Sequence, residues 1–410
     1  MRKRMNTVPM RVWLTALLVM LMLAGCVVPE ALIVQPPDAT QAPPLAPAPQ
    51  DTTQDAPIDA PDAISPHLAA ALAHAPITTQ TFAFTDWSFL KRVAGVPNLT
   101  SADSLDDRLA FMKPLAIGEQ AVTSGFGLRY FMTHAETWGW DSTDLVWETY
   151  LTLDGPPTWV LRFRDDFDFA PVLARLDERE YTTSIHEGVT VYSHELDLTE
   201  DWIRSSEFSV MNIAYMEAEN SFILASAPEA VTGVLDLIAL GATMVNQPAM
   251  RSVAAAMGEV GAAILAPDGC AMLDIAVLLG DSSNAIELLM REIEEAGITH
   301  AYNVFGFGYQ VATLDNETLP VGVFVHHYDD AAHAEADLEP RRLVAATGES
   351  LARRVTYAEL FEVMDASVVT DANGAGGANV VLRFHALAHA PQLFVNMIYQ
   401  RDLLFSACGG

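Results

Sequence analysis

Positive charge is scarce in this chain of 410 residues. Against 53 Asp and Glu it carries 22 Lys and Arg, for a formal net charge of −31, and its lysines are Lys3, Lys91 and Lys113. Clustered Lys and Arg are what neutralise phosphate backbones, so nucleic acid is excluded as a partner. The same shortage excludes electrostatic docking on anionic lipid. Cysteine is rare as well: Cys26, Cys270 and Cys408 lie far apart, and no metal site built on the last two is expected. Beyond Cys26 no run of about 18 apolar residues is free of charge, so the rest of the chain is expected to be soluble. A G-x-S-x-G elbow and a Walker lysine are both missing. The glycine groups Gly125/Gly127, Gly306/Gly308 and Gly374/Gly376/Gly377 do not follow a strand and open a helix, as a nucleotide fingerprint requires. No catalytic set and no cofactor are expected.

The N-terminus carries a clear signal. Arg2, Lys3, Arg4 and Arg11 precede an apolar run from Val12 to Gly25, "VWLTALLVMLMLAG". Fourteen residues of helix reach about 21 Å, short of the roughly 30 Å hydrocarbon core. The run therefore reads as the h-region of a signal peptide. It ends in Leu23-Ala24-Gly25-Cys26, which resembles the lipobox of bacterial lipoproteins. That resemblance implies cleavage before Cys26 and transfer of a diacylglyceryl group to its thiol. Two acyl chains hold durably where one binds only marginally, so the membrane is a partner through this anchor. The expected location is the extracytoplasmic side of the cell membrane, facing periplasm or surface. Losing the signal removes four positive charges and no negative one, taking the formal charge from −31 to −35.

Residues 26–75 read as a tether. From Cys26 through Pro66 there are ten prolines, mixed with Ala, Gln, Thr and Asp, and no Lys or Arg occurs between Arg11 and Lys91. Such a composition buries no core and favours a disordered, partly polyproline chain. The remainder predicts an α+β fold in two related modules, 76–241 and 242–410. Each has two leading helices and then ββαββα, an antiparallel sheet with helices on one face. Asp86 and Ser104 are predicted helix N-caps. In the first module Asp165-Asp166, Gly188-Val189-Thr190-Val191-Tyr192 and Ala225-Ser226-Ala227-Pro228-Glu229-Ala230 resemble a pattern of secreted bacterial families of unknown function. The resemblance implies no activity.

Few residues stand out as candidates for chemistry. "HAETWGWDSTDLVWE" interleaves Trp138, Trp140 and Trp147 with Glu136, Asp141, Asp144 and Glu148. Aromatic faces flanked by acids can take a sugar or a cation, so Trp138, Trp140, Asp141 and Trp147 are the expected ligand-binding residues. "HHYDDAAH" offers His326 and His333 as the best metal candidates, although His326 and His327 on one strand point to opposite faces and an acidic helix start explains the aspartates equally well. Cys270 and Cys408 form an even set in an exported chain and can pair. The function expected is a non-catalytic, lipid-anchored envelope protein that binds an envelope protein or a small-molecule ligand. A hydrolase of the envelope, metal-dependent or otherwise, and a structural spacer are the alternatives.

Overall fold

The structure is a computed structural model that describes residues 64–204, 206–274, 283–314, 317–370, 377–387 and 391–409. The signal segment, Cys26 and the tether up to residue 63 lie outside the described residues. In chain order the strands are β1 Thr81–Asp86, β2 Leu145–Thr152, β3 Thr158–Phe163, β4 Thr182–His186, β5 Val189–Ser193, β6 Asn212–Met216 and β7 Ser221–Ala225, then β8 Ala262–Ala266, β9 Val304–Leu314, β10 Glu317–Tyr328, β11 Glu349–Ser350, β12 Val355–Thr356, β13 Phe361–Thr370 and β14 Ala378–Ala386. The longer helices are α1 Pro66–Ala73, α2 Trp87–Val93, α3 Leu105–Ala116, α4 Phe131–Trp138 and α5 Ala170–Glu178, then α6 Pro228–Ala239, α7 Pro248–Met257, α8 Ser283–Glu295, α9 Ala331–Thr347 and α10 Pro391–Gln400.

Twelve strands form one antiparallel sheet in the order β13-β14-β10-β9-β8-β1-β2-β3-β7-β6-β5-β4, and β11–β12 is a separate two-stranded ribbon. At its centre β1 pairs with β8, Phe82 opposite Leu265 and Thr85 opposite Ala262. Outward from that pair the two halves follow the same path: β1-β2-β3-β7-β6 on one side, β8-β9-β10-β14-β13 on the other.

Helices cover both faces of this sheet, not one. The reason is visible in the strands. Along β7, Phe222 and Leu224 enter one core while Ile223 and Ala225 enter the other. Along β8, Ala262, Ile264 and Ala266 alternate in the same way with Ala263 and Leu265. Strands buried on both faces need a cover on both, and they read as continuous apolar runs rather than alternating ones. The aromatic-rich core receives α2, α3, α5, α9 and α10; the more aliphatic core receives α1, α6 and α7. Gly306 and Gly308 serve the second core: a Cβ on Gly308 would lie 2.7 Å from Val260 Cγ1, so glycine lets the end of α7 sit directly on β9.

The folded part begins earlier than its composition predicts. Within the expected tether, Pro66–Ala73 forms α1, with Leu68, Ala71 and Leu72 fully buried in the aliphatic core. Pro66 sits in its first turn, where a missing N–H costs nothing. The strands β1, β4 and β8 are further departures. "PAMRSVAAAMGEVGAAILA" reads as one helix, but α7 ends at Met257, Gly258 turns the chain at φ 73° and the alanine-rich remainder is β8. Burial on both faces overrides the helical preference of alanine there. The predicted caps form: Asp86 accepts from Phe89 N at 2.8 Å, and Ser104 from Asp107 N at 3.2 Å. Among the described residues no helix is long and apolar enough to cross a membrane.

Candidate ligand groove

The residues singled out for recognition are inside the protein. Trp138, Trp140 and Trp147 are at most 2 % exposed, and Trp147 lies in the aliphatic core while the other two lie in the aromatic one. They share no surface. Trp138 Nε1 donates to Ser206 Oγ at 2.9 Å, and the Arg179 guanidinium stacks on its face at 4.2 Å. Trp140 is held between Phe126, His134 and Phe163. Asp141 is buried, paired with Arg108, and accepts from Thr143 N at 2.8 Å to cap the turn Ser142–Asp144. Asp141, Asp144 and Glu148 are buried in the fold while Glu136 stays exposed, and the tryptophans pack on opposite faces of the sheet.

The histidines part in the same way. His326 is fully buried, with Nε2 2.9 Å from Ser406 Oγ. Burial, and then Arg341, hold its imidazole well below the usual range. His333 is exposed on α9 and stacks on His300 with ring centroids 4.1 Å apart. One side chain points into the core and the other away from it, so they do not form a metal site. His327 does face opposite to His326, with Nδ1 3.0 Å from Asn379 Oδ1. Cys270 and Cys408 are joined as a disulfide, their Cα atoms 5.6 Å apart.

Three further titratable groups are sealed in. Glu148 is fully buried, with Phe126 N donating to Oε1 at 3.0 Å; burial pushes its carboxyl up to about 7. His134 is driven down to about 3 by burial against Phe126 and Trp140. Lys91 belongs to Ser88-Phe89-Leu90-Lys91, an S-x-x-K spacing where the motif reading of the sequence expects none. Its ammonium donates to Thr143 O at 2.7 Å and Leu99 O at 3.4 Å, and burial lowers its pKa. The lysine is turned onto loop carbonyls, and no contact with Ser88 is formed among its hydrogen bonds. None of these groups lines the concave space near the β4 end of the sheet.

A concave space lies elsewhere, near the β4 end of the sheet. It holds about 470 Å³ between the β4–β5 turn, the β6–β7 connection and α6. Val189, Met216, Leu235 and Ile238 supply an apolar floor, and Glu187, Glu217 and Glu219 stand around it with no basic residue in the lining. The walls follow from local sequence. Glu187 and Gly188 take φ 47° and 77° between the paired His186 and Val189, a tight hairpin turn. Asn220 takes φ 44° and closes the β6–β7 connection. α6 starts at Pro228 and lays Val231, Val234 and Leu235 on the aliphatic core. At one end Glu219 accepts from His74 Nε2 at 2.5 Å, a contact that holds its carboxyl below the usual range and anchors the end of α1. At the other, His186 Nε2 meets Asp236 Oδ1 of α6 at 2.6 Å with Glu187 beside them.

Neither the family models nor the curated proteins contain a match to this chain. Among solved structures it is similar to TP0453 in crystal forms I, III and IV. The TM-scores are 0.36, 0.35 and 0.35 and the identities 10%, 8% and 9%, over 80% of this chain and 98%, 97% and 96% of TP0453. A likeness of this size assigns neither fold nor function.

Proposed function

We propose that this chain is a lipid-anchored, non-catalytic protein of the cell envelope, and that its groove binds a small ligand with an apolar body and a cationic group. The observation that carries the reading is the groove itself: an apolar floor under three carboxylates, with no basic side chain in its lining. An anionic ligand would meet repulsion there, in a chain of net charge −31. A cation with methylene groups satisfies both the rim and the floor. The buried titratable groups support binding over catalysis, since Asp141, Asp337 and Lys91 are occupied in holding the fold. The anchor is read from Leu23-Ala24-Gly25-Cys26, and with it the domain would stand outside the cytoplasmic membrane. The shared strand path supports reading 76–241 and 242–410 as two copies of one module, fused through β1 and β8.

The test uses the full chain in detergent, with spermidine as the probe. A ligand that binds only the folded state stabilises it by about 2.7 kcal/mol at a hundredfold excess over Kd and so raises the melting temperature. The expected result is a shift that Glu217→Gln reduces and that a neutral diol of equal length does not produce. Equal shifts with the diol, or none with spermidine, contradict the groove. Acyl labelling that persists in Cys26→Ser contradicts the anchor.

A further inference from the structure

We infer that His186, Glu187 and Asp236 form a binding site for a first-row divalent metal ion such as zinc. The site goes beyond the groove's organic ligand and stands on its own geometry. One ligand atom from each residue lies within 4.8 Å of the other two, and these atoms come from two elements about fifty residues apart in sequence. The convergence has a structural cause. His186 pairs with Val189 across the β4–β5 turn, and paired residues project to the same side of a sheet. Val189 packs on the aliphatic core, so His186 projects toward α6, where Asp236 meets it at 2.6 Å.

Ligand atoms about 2.0–2.2 Å from a tetrahedral zinc ion stand roughly 3.4 Å apart. The His186–Asp236 hydrogen bond would open by under 1 Å to admit the ion, and Glu187 would close on it. The residues fit that adjustment: Asp236 is on the outer side of α6 with its side chain half exposed, and Glu187 sits at the tip of a hairpin. One imidazole nitrogen with two carboxylate oxygens favours zinc or its neighbours over calcium or magnesium, and solvent has access to a fourth position.

The turn fixes where the Glu187 carboxylate stands. With φ 47° at Glu187 and 77° at Gly188, the loop is of the kind that favours Asn-Gly or Asp-Gly. Glutamate lacks the short side chain that tolerates this backbone, yet it places a longer carboxylate against His186 and Asp236. The ion would fasten the edge hairpin to α6. β4 is the last strand of the sheet, with Ile185 70 % exposed, and an edge of that kind needs restraint.

Calorimetric titration of the chelator-treated full chain in detergent with zinc alone tests the site. One saturating site is expected. His186→Ala and Asp236→Asn, both changes at solvent-accessible side chains, should weaken it by more than the roughly 10–100-fold that losing an outer-shell partner costs. His333→Ala should leave it unchanged. Glu187→Asn should weaken zinc binding while raising the melting temperature of the metal-free chain, because asparagine suits the turn. Affinity that survives in both His186→Ala and Asp236→Asn would assign the zinc to other carboxylates and overturn the proposal. So would the absence of a saturating site in the unaltered chain.

Discussion

The two ends of the sheet treat their polar residues in opposite ways. At the β13 end, α9 lies across β13 and β14 and buries a charged pair beneath it: Arg341 and Asp337 are both fully buried, 3.3 Å apart. Arg341 also donates to Tyr328 Oη at 2.7 Å and to the carbonyls of Phe405 and Ala407, while the Cys270–Cys408 disulfide ties down the chain beside them. At the β4 end the ionisable residues look outward. Glu187, Glu217 and Asp236 are exposed around the groove, and Leu240, just past the end of α6, is 79 % exposed. Both halves take the same path through the sheet. They differ in that β4–β5 continues the sheet in the first half, while the ribbon β11–β12 stands apart from it in the second. One end is built for stability and the other leaves its chemistry open to solvent.

The contrast predicts large stability losses at the closed end and small ones at the open end. The disulfide should matter most. Its cysteines are 138 residues apart, and closing so long a loop is worth about 4–5 kcal/mol in the chain-entropy model. Urea unfolding of Cys408→Ser measures the loss, and two reactive thiols on unreduced Cys26→Ser protein would refute the pairing. Arg341→Met comes next. It removes the buried cation and leaves Asp337 with Tyr328 Oη at 3.0 Å and His300 Nδ1 at 2.8 Å, and should cost about 3–5 kcal/mol; a loss below 1 kcal/mol would show that the pair is not sealed.

Glu148 gives a pH test near the centre of the sheet. Its folded-state pKa of about 7 exceeds the ordinary 4.5, so the native state holds the proton more tightly than the unfolded one. The stability it contributes is fully present below pH 4.5 and is lost as pH rises through 7, about 3 kcal/mol in all. Comparing unfolding free energies of the chain and of Glu148→Gln at pH 4.5 and 8 should isolate that loss, and parallel pH profiles would contradict it. The smallest effect belongs to the open end. Asp236→Asn removes an exposed contact and should change metal-free stability by less than about 1 kcal/mol.

Much of the fold was legible in the chain. β2, β3, β9, β10 and β14 are long apolar or alternating runs, and Asp86 and Ser104 announce their helices by capping chemistry. α1 was hidden because proline-rich composition argues against a core, and β1 and β8 because short strands covered on both faces carry no alternation. The tryptophan stretch misled for an electrostatic reason. Aromatics interleaved with acids look like a wet surface unless the partners are known, and Arg108 pairs with Asp141 from 33 residues away. The run Gly188-Val189-Thr190 was visible as a pattern but not as a groove wall, and His186 and Asp236 become neighbours only once the β4–β5 hairpin joins the sheet and α6 packs on its aliphatic face.

Hydrogen exchange of the full chain in detergent, with and without spermidine, tests most directly whether the open end is where this protein works. Added protection should appear in the β4–β5 turn, the β6–β7 connection and α6, and α9 should be unchanged. Protection centred on α9 or β13, or none at either end, would contradict the assignment of function to the groove.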